Sequence, residues 1–131
     1  MIKRVESSLI QLLDEDRRGF LFVEDSLIES ARAIKSYWQR CSRPGFKLLF
    51  SVKTNPNRHV LSVLSRVVDG FDVSSHHEAA IVRGIGVSPS SMTWSGPAKT
   101  DRALMEIAQY DADCLHLDSV DEWRAAQRFF D

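Results

Sequence analysis

The chain has 131 residues, which is one domain or part of one. Hydrophobic residues make up 44% of it and charged residues 27%, a mix typical of a globular protein with a real core. The chain has 17 Lys and Arg and 18 Asp and Glu, so its formal net charge is -1. No basic excess indicates a nucleic acid as a partner.

The cellular compartment is predicted from the cysteines and the first residues. Cys41 and Cys114 lie far apart in sequence, and the residues from Met1 onward lack the apolar stretch of a secretory signal. We therefore expect free thiols in a soluble cytoplasmic protein. No apolar run reaches membrane-spanning length, so no membrane partner is expected.

Residues 1–45 are expected to form a leading region before the repeating part of the chain. The spacing of apolar residues predicts an amphipathic helix in residues 1–18 and a short strand at residues 20–23. A second helix is predicted from residue 27 to about residue 39, with Asp25 and Ser26 as its N-cap. Pro44 and Gly45 end this region.

Residues 46–131 alternate between strand and helix patterns four times, with short connections. The predicted strands cover residues 46–52, 70–75, 92–95 and 114–118, and the predicted helices cover 59–68, 76–83, a stretch capped by Asp101 that runs to Tyr110, and a last one capped by Ser119. This alternation predicts an α/β fold with parallel strands. A closed barrel of this kind has eight such units, so the chain is the first half of a larger barrel, half of a barrel completed by another chain, or an open sheet. We favour the first.

Polar residues follow each predicted strand. Lys53 comes after the first strand, Asp72 with Ser74 and Ser75 after the second, Ser95 after the third, and Asp118 after the fourth. In a parallel α/β fold the carboxyl ends of the strands meet at one edge. The polar groups able to act in chemistry are therefore expected to gather there.

Lys53 is the main candidate for chemistry. A lysine amine attacks a carbonyl only when it is deprotonated, and desolvation at the end of a strand favours that form. Asp72, at the end of the next strand, could orient the amine. Two interpretations remain open at this point: Lys53 is a nucleophile, or it extends from the sheet and forms a structural pair with Asp72.

Four motifs resemble those of the fold-type III pyridoxal phosphate-dependent decarboxylases, which act on ornithine, lysine, arginine and diaminopimelate. They occur in the family's order and at its spacing: Val52-Lys53-Thr54-Asn55-Pro56-Asn57, Gly70-Phe71-Asp72-Val73-Ser74-Ser75 with Glu78, Gly96-Pro97 with Lys99, and Leu117-Asp118-Ser119 with Glu122. Thr54 departs from the pattern, since the family usually has alanine after the lysine. The short stretch Phe22-Val23-Glu24-Asp25 also resembles the strand that precedes the family's barrel.

The resemblance implies a fold, a cofactor and a site. The fold is the N-terminal part of an alanine-racemase-like (β/α)8 barrel, with the leading region in residues 1–45 and the first four βα units in residues 46–131. The cofactor is pyridoxal 5'-phosphate, held by Lys53 as an internal aldimine, and the reaction is decarboxylation of a basic or diamino amino acid. Asp72, Ser75 and Glu78 match positions near the cofactor, and no metal is expected.

The resemblance also implies parts that this chain does not contain. The family's ring-stacking histidine, its phosphate loop and its C-terminal β-domain would lie beyond residue 131, so this segment alone is expected to be inactive. A homodimer is the family's expectation. Two alternatives stay open: a racemase-like or cofactor-carrier protein on the same barrel, and a catalytically silent homologue that acts through a protein partner.

Overall fold

A computed structural model gives the architecture and describes residues 22–41, 45–97 and 99–130. The helices are α1 (Glu24–Cys41), α2 (Arg58–Leu64), α3 (His76–Arg83), α4 (Asp101–Ile107) and α5 (Val120–Ala126), and the strands are β1 (Leu49–Ser51), β2 (Gly70–Val73), β3 (Met92–Trp94) and β4 (Cys114–Leu115). Short 3₁₀ turns cover Val52–Thr54 and Pro89–Ser91. No helix in this described part is long and apolar enough to cross a membrane.

The four strands form one parallel sheet in the order β1-β2-β3-β4. Each strand is followed by a helix that returns the chain to the start of the next one, which is what parallel pairing requires. The predicted α/β alternation is therefore confirmed. Gly70 is needed at the start of β2, because a Cβ atom there would lie 2.3 Å from the carbonyl oxygen of Ser91, the residue just before β3.

The main core lies between the sheet and the helices that follow its strands. Alternate strand residues point to this side, as the pleat of a strand dictates. Its buried members are Val52, Leu61, Phe71, Val73, Ala79, Val82, Met92, Trp94 and Ile107. The strand residues between them face the other side of the sheet, and that open face carries the candidate site.

Helix α1 packs beside β1 through a second apolar cluster. Ala31 of α1 meets Val60, Leu64 and Val67 of the α2 region. An ion pair supports the contact: the Lys35 ammonium donates to Asp69 at 2.6 Å, and Asp69 also accepts the backbone N–H of Leu48 at 2.9 Å. Burial alone raises the pKa of Asp69, but these hydrogen bonds lower it below its ordinary value.

The leading region differs from the prediction. Phe22 and Val23 are not in a strand, because α1 already begins at Glu24 and β1 pairs only with β2 among the described strands. The N-cap expected at Asp25 and Ser26 is also wrong, because both residues already lie inside α1, which begins at Glu24. The predicted helix in residues 1–18 and the first two residues of the predicted strand lie outside the described residues.

Several predicted elements are longer than the observed ones. Strand β1 covers Leu49–Ser51 rather than 46–52, because the chain enters a 3₁₀ turn at Val52. Helix α2 ends at Leu64 rather than 68, and α4 ends at Ile107 rather than at Tyr110. The N-cap of α4 is Thr100 and not Asp101, since the Thr100 hydroxyl accepts the N–H of Ala103 at 3.2 Å. Ser119 caps α5 as predicted.

Candidate active site

Lys53 lies in the tight turn that follows β1. Val52 before it is fully buried and anchors the turn in the core, while Lys53 itself is exposed. The turn is closed by two hydrogen bonds, from the Asn55 N–H to the Val52 carbonyl at 3.0 Å and from the Thr54 hydroxyl to the Ser51 carbonyl at 2.7 Å. The backbone that carries the amine is therefore fixed, and the side chain is not.

The four described lysines differ sharply in their surroundings. Lys35 pairs with Asp69, Lys47 with Asp113, and Lys99 with Asp118 and Glu122. Lys53 makes no hydrogen bond or ion pair with any residue that the structure describes. The predicted alternative, a structural pair between Lys53 and Asp72, is thus not formed in this structure.

A polar row crosses the face of the sheet opposite the main core. Its members are consecutive partners in the strand register: Ser51, Asp72, Thr93 and Cys114. The Ser51 hydroxyl donates to Asp72 Oδ2 at 3.0 Å. Asp72 Oδ1 is buried and has no hydrogen-bond partner in the described part of the chain. A buried carboxylate oxygen without a donor is costly, so this atom has the capacity to bind one.

Ser75 and Glu78 both act at the start of α3. The Ser75 hydroxyl accepts the N–H of Glu78 at 3.2 Å, which makes Ser75 the N-cap. Glu78 Oε2 reaches back to accept the backbone N–H of Ser74 at 2.8 Å and its hydroxyl at 3.2 Å. This arrangement is similar to a capping box, except that Glu78 accepts the N–H of Ser74 rather than that of the N-cap Ser75. It fixes the loop that follows Asp72, so the two predicted site residues border the polar row and shape its upper end.

A similar arrangement joins the loops after β3 and β4. Glu122 accepts the backbone N–H groups of Lys99 and Asp118, each at 2.9 Å. Those two N–H groups lower the pKa of Glu122, first that of Asp118 and then that of Lys99, against the opposing effect of burial. The Lys99 ammonium bonds to Asp118 at 3.2 Å, to Glu122 at 3.3 Å and to the Gly96 carbonyl.

The structure thus places Lys53 and Asp72 at the carboxyl ends of the neighbouring strands β1 and β2, with Ser75 and Glu78 at the start of the helix that follows β2. Sequence reasoning missed Ser51 and Thr93. The signal was present, since both lie at alternate positions between residues that pack against the helices, but only polar residues at the ends of the predicted strands were considered as candidates.

Comparisons with known proteins place these features in a family. The model of the family "pyridoxal-dependent decarboxylase, pyridoxal binding domain" matches residues 26–130. The chain is 28% identical to a probable ornithine decarboxylase of Dictyostelium discoideum over 128 residues, which are 96% of this chain and 27% of that protein. It is 34% identical to a diaminopimelate decarboxylase of Pseudomonas aeruginosa over 79 residues, 60% of this chain and 19% of that protein.

Solved structures agree. An ornithine decarboxylase from Entamoeba histolytica superposes with a TM-score of 0.73 at 27% identity, covering 93% of this chain and 37% of that one. The protein SrLDC, solved in complex with PLP and cadaverine, superposes with a TM-score of 0.73 at 24% identity, covering 95% of this chain and 32% of that one. The chain spans between 18% and 27% of the length of the first curated relatives it matches.

Proposed function

The chain belongs to the family of pyridoxal-dependent decarboxylases, in its pyridoxal-binding domain, and from that premise we propose that it is part of an amino-acid decarboxylase in which Lys53 binds pyridoxal phosphate. The reaction is loss of the α-carboxyl group of a basic or diamino amino acid as carbon dioxide. One observation carries the role of Lys53: among the described lysines it alone has no partner, and it stands at the carboxyl ends of parallel strands.

The residues present fit the cofactor. Covalent binding needs a lysine whose amine can reach an aldehyde without first breaking an ion pair, and Lys53 meets that need. The buried Asp72 Oδ1 lacks a donor among the described residues, and a bound cofactor, substrate or lysine amine can supply one. When bound, pyridoxal phosphate supplies an electron-poor ring that takes up the electron pair left by the departing carboxyl group.

Each of the other candidate residues has a distinct task in the proposal. Asp72 accepts a hydrogen bond at Oδ1 while Ser51 holds Oδ2 at 3.0 Å, so the carboxylate cannot turn freely. Glu78 and Ser75 hold the loop after β2 in place, and with it the side of the cofactor site next to Asp72. In this proposal Asp72 keeps the cofactor site polar, and Ser75 and Glu78 keep the loop beside it in a fixed position.

The whole activity belongs to a longer protein in this proposal, because this chain matches only 18% to 27% of the length of the curated relatives. We infer that the 131 residues alone are inactive and that the active form is a homodimer, as the resemblance implies. A small amino acid is the substrate, and the names of the relatives favour ornithine or diaminopimelate.

Release of carbon dioxide tests the function. The longest natural form that contains this chain is assayed with ornithine, lysine, arginine and diaminopimelate, as wild type, as Lys53→Ala and as Lys47→Ala. We expect release from one of the four, loss of release to background in Lys53→Ala, and little change in Lys47→Ala, whose side chain is exposed and pairs only with Asp113.

Two other results would each exclude the proposal. Undiminished release in Lys53→Ala would remove Lys53 from the reaction. Racemisation of an amino acid without release of carbon dioxide would instead support the racemase-like alternative, and the absence of both reactions together with the absence of bound cofactor would support the silent homologue.

A further inference from the structure

Lys99 is a second lysine at the edge of the sheet where Lys53 stands. It follows β3, and only 5% of its side chain is exposed. The proposed reaction gives it no role. Burying an ammonium is costly unless hydrogen-bond acceptors surround it. The partners of Lys99 therefore determine whether its amine can react.

Three acceptors enclose the Lys99 ammonium. Asp118 lies at 3.2 Å and Glu122 at 3.3 Å, and the third acceptor is the Gly96 carbonyl. An ammonium has three N–H donors, so every donor has an acceptor in this arrangement. No donor remains for a ligand, and no side of the nitrogen is open.

Glu122 is itself held in place. Its two carboxylate oxygens accept the N–H groups of Lys99 and Asp118, and its own N–H is bound by the Ser119 hydroxyl at 3.1 Å. Only 9% of its side chain is exposed. The carboxylate therefore cannot swing away from Lys99 without breaking bonds to two loops, and the enclosure is rigid.

We propose that Asp118 and Glu122 sequester Lys99, so that Lys53 is the one lysine at this edge that reacts with a carbonyl compound. Nucleophilic attack needs an open approach to the nitrogen, and the acceptors around Lys99 leave only 5% of its side chain exposed. The purpose of this sequestration, which is to direct an aldehyde cofactor to Lys53, rests on the proposed function. The sequestration itself is a property of the chain without cofactor.

Competitive acetylation tests the sequestration without any cofactor. The lysine nitrogen attacks one carbonyl of acetic anhydride, acetate leaves, and the amine loses a proton. The 131-residue chain is treated with trace reagent, and acetylation at each lysine is measured by mass spectrometry. We expect Lys99 to be at least about tenfold slower than Lys47 and Lys53, since a hydrogen-bonded ion pair of this kind changes an equilibrium by that factor or more. Equal rates at Lys99 and Lys47 in the wild type would overturn the proposal.

Variants that remove the charge of either carboxylate should make Lys99 more reactive. Glu122→Gln and the milder Asp118→Asn should raise acetylation of Lys99 by about tenfold. The control Asp113→Asn removes the partner of Lys47, and because that pair is exposed it should alter Lys47 by less than about threefold. Thermal unfolding of each variant shows whether it is folded. A folded Glu122→Gln in which Lys99 stays slow would contradict the proposal.

A second reagent separates the two proposals. Pyridoxal phosphate condenses with a lysine amine with loss of water, and borohydride then delivers hydride to the carbon–nitrogen double bond. Glu122→Gln should gain a label at Lys99 that the wild type lacks. If Lys99 is slow to acetylate but Lys53 takes no pyridoxal label, the sequestration stands and the proposed cofactor role fails. If Lys53 takes the label and Lys99 acetylates freely, the proposed cofactor role stands and the sequestration fails.

Discussion

At the scale of single residues, the surroundings of each lysine decide its chemistry. Lys35, Lys47 and Lys99 are bound to carboxylates, whereas Lys53 lies in a fixed turn and its amine has no partner among the described residues. The same contrast holds for the two oxygens of Asp72, of which one is bound and one is not. The candidate site is therefore defined by the groups left unpaired as much as by the residue types.

Gly96 is required by its conformation and by a close neighbour. Its φ of +97° lies in the left-handed region, and a Cβ atom would stand 3.1 Å from the Cβ of Ser74. We expect Gly96→Ala to lower the free energy of unfolding by about 2 kcal/mol, measured by urea denaturation. Gly86→Ala is the matched control, because Gly86 has a φ of +87° with nothing within 4 Å. An equal cost for the two changes would show that the contact with Ser74 contributes nothing.

The position of Lys53 could be predicted from sequence, but its freedom could not. The apolar run before it and the Asn-Pro-Asn turn after it indicate the end of a buried strand. Whether Lys53 pairs with Asp72 depends on the 3₁₀ turn, which moves the side chain out of the strand's alternation. Nothing in the order of the residues distinguishes the two outcomes. Membership of the polar row likewise depends on which face of the strand the helices cover.

At the scale of elements, the loops at the carboxyl ends of the strands are held by helix caps. Asn57 ends the lysine motif and caps α2, since its side chain accepts the N–H groups of His59 at 2.9 Å and Val60 at 3.3 Å. Ser75 caps α3 and Ser119 caps α5 in the same way. Motif residues that follow the strands thus build the start of the next helix.

The cap at Asn57 can be removed selectively. Asn57→Ala should lower the free energy of unfolding by about 1 kcal/mol, because two N–H groups lose their acceptor. Asn57→Asp keeps an acceptor and should restore most of the loss. Urea denaturation of the three proteins gives the comparison. If Asn57→Asp is as unstable as Asn57→Ala, the side chain does not act as a cap.

The Glu122 carboxylate should make stability depend on acid pH. Because folding lowers the pKa of Glu122 below its ordinary 4.5, its contribution is fully present above that value and is lost as the pH falls through the folded-state pKa. We expect Glu122→Gln to cost about 2 kcal/mol at pH 7 and much less at pH 3. Melting temperatures across this range test it. Asp121→Asn is the control, since that side chain is 91% exposed; a parallel loss in both variants would contradict the assignment.

The order of the elements could be predicted and their ends could not. Hydrophobic spacing gave four strand–helix pairs in the right places, because buried faces impose it. The strand expected at residues 20–23 was wrong at Phe22 and Val23, because the chain enters helix α1 directly afterwards, at Glu24. The cap at Thr100 rather than Asp101 depends on local backbone angles that composition does not fix.

At the scale of the whole molecule, the sheet has two unlike faces. Helices cover one face with an apolar core, and the other face carries the polar row from Ser51 to Cys114. The chain covers 37% of the solved ornithine decarboxylase with which it superposes. The division of the chain at residue 45, between a leading region and the βα units, remains a prediction. The proposed decarboxylase function depends on one claim, that Lys53 is the cofactor lysine.

Site-resolved trapping of pyridoxal phosphate tests that claim most directly. The chain is incubated with the cofactor, reduced with borohydride and digested, and the label on each lysine is measured by mass spectrometry, with Lys53→Met as the comparison. We predict that the label concentrates on Lys53, and that in Lys53→Met it disappears rather than moving to Lys35, Lys47 or Lys99. A label spread over the lysines according to their exposure, with Lys47 at or above Lys53, would contradict the account.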